Sequence, residues 1–190
     1  MRILIIDNHT RFLKELQDSF PGSIDVISKE KIEHKKILDG YDLLVFSGGC
    51  GVSSVSNHPD KYLNEIQIIQ DTKVPILGIC LGAEIITYAL EGKLKKLEQI
   101  HRGSVTLNIT DVPLSETLRT NIINVYECHH WGIETIPDGM ISCAHSDHGP
   151  EIIKHNQRSI IGIQFHPEVS QSDKIFEWVF ESLGIKNRPI

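Results

Sequence analysis

Between Arg2 and Leu90 the chain alternates short β-branched apolar runs with stretches of helical periodicity, and no other feature narrows the possible folds as far. The runs "RILIID", "IDVIS", "YDLLVFS" and "VPILGIC" are bounded by turn residues and read as strands. Helical spacing falls between and after them: Phe12, Leu13 and Leu16 behind the cap candidate Thr10, then Tyr62, Leu63, Ile66 and Ile69 behind "NHPD", then Ile85, Ile86, Tyr88, Ala89 and Leu90. A helix between two strands carries the chain back to start the next strand in the same direction, so this alternation predicts a parallel sheet covered by helices.

After about residue 104 the pattern changes. "SVTLNIT", "IINVYE", "GMISCAH", "PEIIKH" and "SIIGIQF" follow one another with little helix between them, which predicts antiparallel hairpins before a last helix from about Asp173 to Leu183. The expected fold class is α/β: an open, mostly parallel twisted sheet with helices on both faces and an added antiparallel hairpin region. A chain of 190 residues, 40% hydrophobic, supplies one core of ordinary size, so residues 1–190 are expected to form a single domain.

Charge and composition exclude several functions. The net charge is −6 and the 19 Lys and Arg are scattered, so no nucleic-acid footprint is expected. The first apolar run, Ile3 to Ile6, is closed by Asp7 and is too short for a secretory core, and no run approaches the roughly 18 residues of a membrane span. A cytoplasmic protein is expected, with Cys50, Cys80, Cys128 and Cys143 as free thiols, since disulfide frameworks belong to small secreted chains. The basic stretch "GKLKKLEQIHR", residues 92–102, reads as a solvated face or as a docking surface for a partner.

Ligands of open α/β sheets gather at the carboxyl ends of the strands, here Asp7, the "SGGCG" after Phe46, Cys80 and His166. In Gly78-Ile79-Cys80-Leu81-Gly82 a cysteine sits at a strand-to-helix turn flanked by glycines, the pattern that presents a nucleophile on a sharp elbow. Such a turn is expected to expose the sulfur, and the N-terminus of the helix behind it to favour thiolate. The Leu81 N–H is then placed to hold an oxyanion. The alternative is an inert core cysteine, a common fate of free thiols.

A base strengthens the catalytic reading. The strand "SIIGIQF" ends in His166-Pro167-Glu168, where Pro167 biases His166 toward extended backbone and residues two apart face the same way. Glu168 can then accept from one imidazole nitrogen while the other faces the thiol, as covalent acyl transfer requires. Gly48, Gly49 and Gly51 allow backbone to approach a ligand and to supply a second oxyanion donor. Ten histidines raise the question of a metal, with Cys128, His129, His130, His145 and His148 as candidate ligands; without Cys-x-x-Cys or His-Glu-x-x-His spacing no metal is expected.

Together "GICLG", "SGG" and "GIQFHPEV" resemble a class I (triad) glutamine amidotransferase domain over essentially the whole chain. The resemblance implies Cys80 as nucleophile, His166 as general base and acid, Glu168 as its orienter, the Gly49 and Leu81 N–H groups as oxyanion hole, and hydrolysis of L-glutamine to glutamate and ammonia. It implies substrate contacts at Glu84, Gly51, Cys128, His130 and Trp131, with His129 matching a histidine of that loop. Within the family, "FSGGCGVSSV", "CHHWGIETIPDGM" followed by "AHS", and "GIQFHPEVSQSDK" are most similar to the glutaminase subunits of GMP synthetases. Neither the Pro-Gly-Pro-Gly loop nor the Ser after His-Pro-Glu of anthranilate-type subunits is present. No SGGxDS-like or Walker loop occurs, so the resemblance implies a separate ATP-pyrophosphatase synthase subunit that aminates XMP to GMP and carries ATP and magnesium, with no cofactor in this chain.

Two positions depart from the family. Gly82-Ala83-Glu84 stands where Gly-x-Gln is usual, and an ionised carboxylate cannot donate to a bound glutamine. Cys50 replaces a usual proline, which suggests a more mobile loop or a redox-sensitive thiol. Glu84 keeps open a stand-alone γ-glutamyl hydrolase or amidase; a glutaminase subunit for another synthase, such as anthranilate synthase, and a non-catalytic glutamine-binding relative are further alternatives.

Overall fold

The computed structural model describes residues 1–33, 40–49, 54–170 and 173–185. In chain order it contains β1 (Arg2–Asn8), α1 (Leu13–Asp18), β2 (Ser23–Ser28), β3 (Leu43–Gly49), α2 (Leu63–Asp71), β4 (Ile76–Ile79), α3 (Leu81–Ala89), β5 (Lys93–Ile109), α4 (Val112–Leu118), β6 (Ile122–Thr135), β7 (Met140–Ser146), β8 (Gly149–His155), β9 (Ile160–Ile163) and α5 (Asp173–Ser182). Among the described residues one nine-stranded sheet runs in the order β2-β1-β3-β4-β9-β8-β7-β5-β6. Strands β2, β1, β3, β4 and β9 pair in parallel, and β8, β7, β5 and β6 extend the sheet antiparallel as expected, except that β9, grouped with the hairpins in the sequence, joins β4 in parallel and the arm starts at Lys93.

Side chains alternate across a strand, and here both faces are covered. Ile3, Ile5, Leu43, Val45, Leu77 and Ile79 point into one core with Leu16 of α1, Leu114 of α4, and Phe176 and Trp178 of α5. Leu4, Ile6, Leu44, Phe46 and Ile76 point into the other with Ile66 and Ile69 of α2 and Ile85 and Ile86 of α3. This two-sided burial is why the parallel strands read as continuous apolar runs.

Two elements depart from the sequence reading. The basic stretch 92–102 lies largely in the first half of β5, paired to β6 at Lys93–Lys96 and again from His101, and most of its residues are exposed or half-buried. Burial does not alternate regularly over Lys93–Gln99, and a period-2 pattern sets in only from Ile100 onward, so the stretch carries no clear strand signal. Helix α4 was not expected. Its signal is Asp111 before Pro113: the Asp111 carboxylate accepts from Leu114 N–H at 2.8 Å and from Trp178 Nε1–H at 3.2 Å, capping α4 and tying it to α5.

Among the described residues Cys80, Cys128 and Cys143 are free thiols, and no helix is long and apolar enough to cross a membrane.

Candidate active site

Cys80 stands between β4 and α3 with φ 51° and ψ −106°. A non-glycine residue held there costs of order 1–3 kcal/mol, a strain that persists only where the surroundings impose it. The surroundings are visible. The Cys80 N–H donates to the Ile163 carbonyl of β9 at 2.7 Å, and the Cys80 carbonyl accepts from Glu84 N–H at 3.1 Å. A Cβ at Gly78 would lie 2.5 Å from Ile86 Cδ1 and 2.6 Å from the Gly82 carbonyl, and one at Gly82 would strike the Phe46 carbonyl of β3. Only glycines let α3 descend this closely onto the sheet.

The elbow does not expose the sulfur. Cys80 is only 4% exposed, because β6 crosses over it and brings the Cys128 carbonyl to 3.9 Å from Sγ. Burial pushes the thiol well above its ordinary pKa, the Glu84 and Glu168 charges add to the rise, and the Leu81 N–H opposes it. The expected resting thiolate is therefore corrected: burial outweighs the helix terminus, and the resting group is a thiol that needs a base.

His166 follows β9, its N–H donating to the Tyr126 carbonyl of β6 at 2.9 Å. Its Nδ1 lies 2.8 Å from Glu168 Oε1, both residues are buried, and Phe12 packs edge-on against the ring at 5.0 Å. A Cβ at Gly48 would sit 2.9 Å from His166 Cε1 and 3.5 Å from Cys80 Cβ, so the bare backbone of Gly48 is the surface on which both side chains converge. Gly49 pairs with Asn8 of β1, and a Cβ there would strike the Leu81 side chain. Gly51 and Cys50 lie outside the described residues.

A cavity of about 210 Å³ opens over the sulfur, lined by Cys80, Gly49, Leu81, Glu84, Cys128, His129, His130 and Trp131. The structure thus brings together all the described substrate-contact candidates. The sequence reading missed Asn8, Lys29, Lys61 and Tyr62 on the same wall. Lys29, one residue beyond the carboxyl end of β2, could have been found by the strand-end rule; Lys61, in a short 3-10 turn before α2, carries no such signal. Beyond Cys128 and His130 a second cavity of about 220 Å³ reaches His166, Phe12 and Arg102. A larger cavity of about 710 Å³ lies at the amino ends of the strands by Met1, Asp42 and Pro75, away from these groups.

Glu84 is 5% exposed, and burial raises its carboxyl to about 8, opposed by the neighbouring Gln164 amide. At neutral pH it is a carboxylic acid and can donate a hydrogen bond, which the ionised form cannot.

A family model for glutamine amidotransferase class-I matches residues 4–184. A glutamine-hydrolyzing GMP synthase subunit from Saccharolobus solfataricus is 33% identical over 155 residues, 80% of this chain and 81% of that one. Its counterpart from Methanocaldococcus jannaschii is 31% identical over 183 residues, 90% of each chain. Among solved structures, a Thermoplasma acidophilum protein provisionally described as a GMP synthase subunit superposes with a TM-score of 0.83 at 26% identity, covering 97% of this chain and 94% of that one. A glutamine amidotransferase from Thermotoga maritima shares the fold, with a TM-score of 0.71 at 18% identity, covering 98% of this chain and 86% of that one.

Proposed function

The chain belongs to the class-I glutamine amidotransferase family, and on that premise we propose that it is the cytoplasmic glutaminase component of a two-subunit GMP synthase, releasing ammonia from L-glutamine for a separate synthase subunit that aminates XMP. The observation that carries the chemistry is the convergence of a strained elbow cysteine and a Glu168-paired His166 on Gly48. The GMP synthase assignment rests on the curated relatives, which this chain matches over most of their length.

The Glu168 carboxylate holds Nδ1–H and leaves Nε2 to take the Cys80 proton as Sγ attacks the side-chain amide carbon of glutamine. The Gly49 and Leu81 N–H groups stabilise the oxyanion, His166 returns the proton to the departing nitrogen, and ammonia leaves a glutamyl thioester on Cys80. Water, deprotonated by His166, releases glutamate and restores the thiol. Lys29 and Lys61 hold the α-carboxylate of the substrate, and protonated Glu84 donates where the family uses an amide. Amide hydrolysis by this route needs no cofactor in this chain; ATP and magnesium belong to the synthase partner.

With a partner synthase subunit, XMP, ATP and glutamine labelled with 15N at the amide, the label is expected in GMP in proportion to glutamate released. Glutamate release with unlabelled GMP would overturn the assignment, and clear preference for γ-glutamyl peptides over glutamine would make the chain a γ-glutamyl hydrolase.

Glu84 gives a second expected result. Ionisation near pH 8 removes the donor and places a charge beside the nucleophile, so kcat/KM is expected to fall through that pH and Glu84→Gln to abolish the alkaline fall. Because the folded-state pKa of about 8 lies above the ordinary 4.5, the folded chain keeps a proton that the unfolded chain loses. The Glu84 contribution to stability is therefore fully present below about 4.5 and is lost as pH rises toward 8. Thermal melts should show Glu84→Gln gaining on the wild type across that window; parallel curves would mean Glu84 ionises normally.

A further inference from the structure

Strands β6 and β8 bring together a cluster, reaching the Cys80 cavity only through His129, that the proposed hydrolysis does not use. Glu127 and Glu151 are each 1% exposed and His129 is 5% exposed, and donor atoms of the three lie within 4.8 Å of one another. The His129 Nδ1 lies 2.7 Å from the Trp131 carbonyl, which can only accept, so Nδ1 carries a proton and Nε2 is turned toward the carboxylates. That nitrogen is 3.2 Å from Glu127 Oε2, within ion-pair distance, but makes no hydrogen bond. Ser146 donates to Glu151 Oε1 at 2.7 Å, while Glu151 Oε2 and Glu127 Oε1 have no hydrogen-bond partner.

Three buried groups thus bring polar atoms without a hydrogen-bond partner into one cluster. Buried carboxylates without compensating partners are costly, and they are found paired or on a metal. A divalent cation satisfies all three atoms and balances two carboxylates with its own charge. Ligands about 2.1 Å from one ion are at most about 4.2 Å apart, so small side-chain rotations close the cluster. An entry path is present: His101 and His148, their rings 3.5 Å apart, share Glu127 as a second donor group and line a cavity of about 100 Å³ leading to it.

We propose that Glu127, His129 and Glu151 bind a divalent transition-metal ion of the zinc class, with His101 and His148 at the mouth of the site. Imidazole nitrogen with carboxylate oxygen suits zinc better than the all-oxygen preference of magnesium or calcium. Cys128, His129 and His130 all line the Cys80 cavity, so the ion would brace that wall through His129.

The test uses untagged full-length protein stripped with chelator and titrated with Zn²⁺ against a chromophoric chelator, then with Co²⁺ followed by absorption. One equivalent of Zn²⁺ at submicromolar Kd is expected, with Co²⁺ giving d–d bands and no thiolate charge-transfer band. The isosteric Glu127→Gln and Glu151→Gln variants, checked for folding by circular dichroism, should weaken binding at least about 100-fold, and His148→Ala about 10-fold. Absence of tight binding by the wild type overturns the proposal whatever the variants do, as does a thiolate band or affinity unchanged in both glutamine variants. None of these readouts depends on glutaminase activity.

Discussion

Cys80→Ala is expected to lower glutamate release at least about 10⁴-fold while leaving the circular dichroism and melting curve close to those of the wild type. The sulfur alone forms the proposed thioester, and its contact with the Cys128 carbonyl is long, so its removal costs little packing. Alanine keeps the Cβ, and the hydrogen bonds from Cys80 N–H to Ile163 and from Glu84 N–H to the Cys80 carbonyl are main-chain and survive. Intact-mass spectrometry with a glutamine-mimicking electrophile gives the matching result in the wild type: one adduct, mapping to Cys80 and suppressed by glutamine. Turnover retained by the alanine variant, or an adduct on Cys128 or Cys143 instead, would remove Cys80 from the mechanism.

Gly82→Ala should be the most damaging single methyl addition at the elbow. Within a helix, alanine ordinarily gains up to about 1 kcal/mol over glycine. Here the sign reverses, because the new Cβ would strike the Phe46 carbonyl in central strand β3, backbone that is itself paired on both sides and cannot retreat. A loss of about 3 kcal/mol or more is expected in urea melts, with loss of activity as α3 is pushed off the sheet. Gly132→Ala is the control: its nearest neighbours would be 3.7 Å away, so a small change is expected. Equal effects of the two substitutions would mean that α3 and β3 are not in close contact.

Much of the fold was legible because the parallel strands are buried on both faces and interleave with helices, so composition and order alone mark them. The antiparallel arm was half legible. In β5 burial alternates regularly only from Ile100 onward, so its charge-rich beginning carries no clear strand signal. Helix α4 announced itself only through Asp111 and Pro113, a cap without the long apolar period that usually accompanies one.

At the site, the glycine spacing around Cys80 could be read directly, but the His166–Glu168 contact is made across a turn that begins at His166, closed by Val169 and Ser170 N–H to its carbonyl, and not along the extended strand expected there. What no local pattern could tell was environment. That Cys80 lies under β6, that Glu84 is buried deeply enough to stay protonated at neutral pH, and that Glu127, His129 and Glu151 meet in one place all depend on strands distant in sequence. Which residues stand at strand ends follows from the order of amino acids, because turns, caps and alternation are short-range. Which of them are dry, which charges they face and hence which protons they hold was left to the folded molecule, because desolvation is set by whatever part of the chain packs back over them.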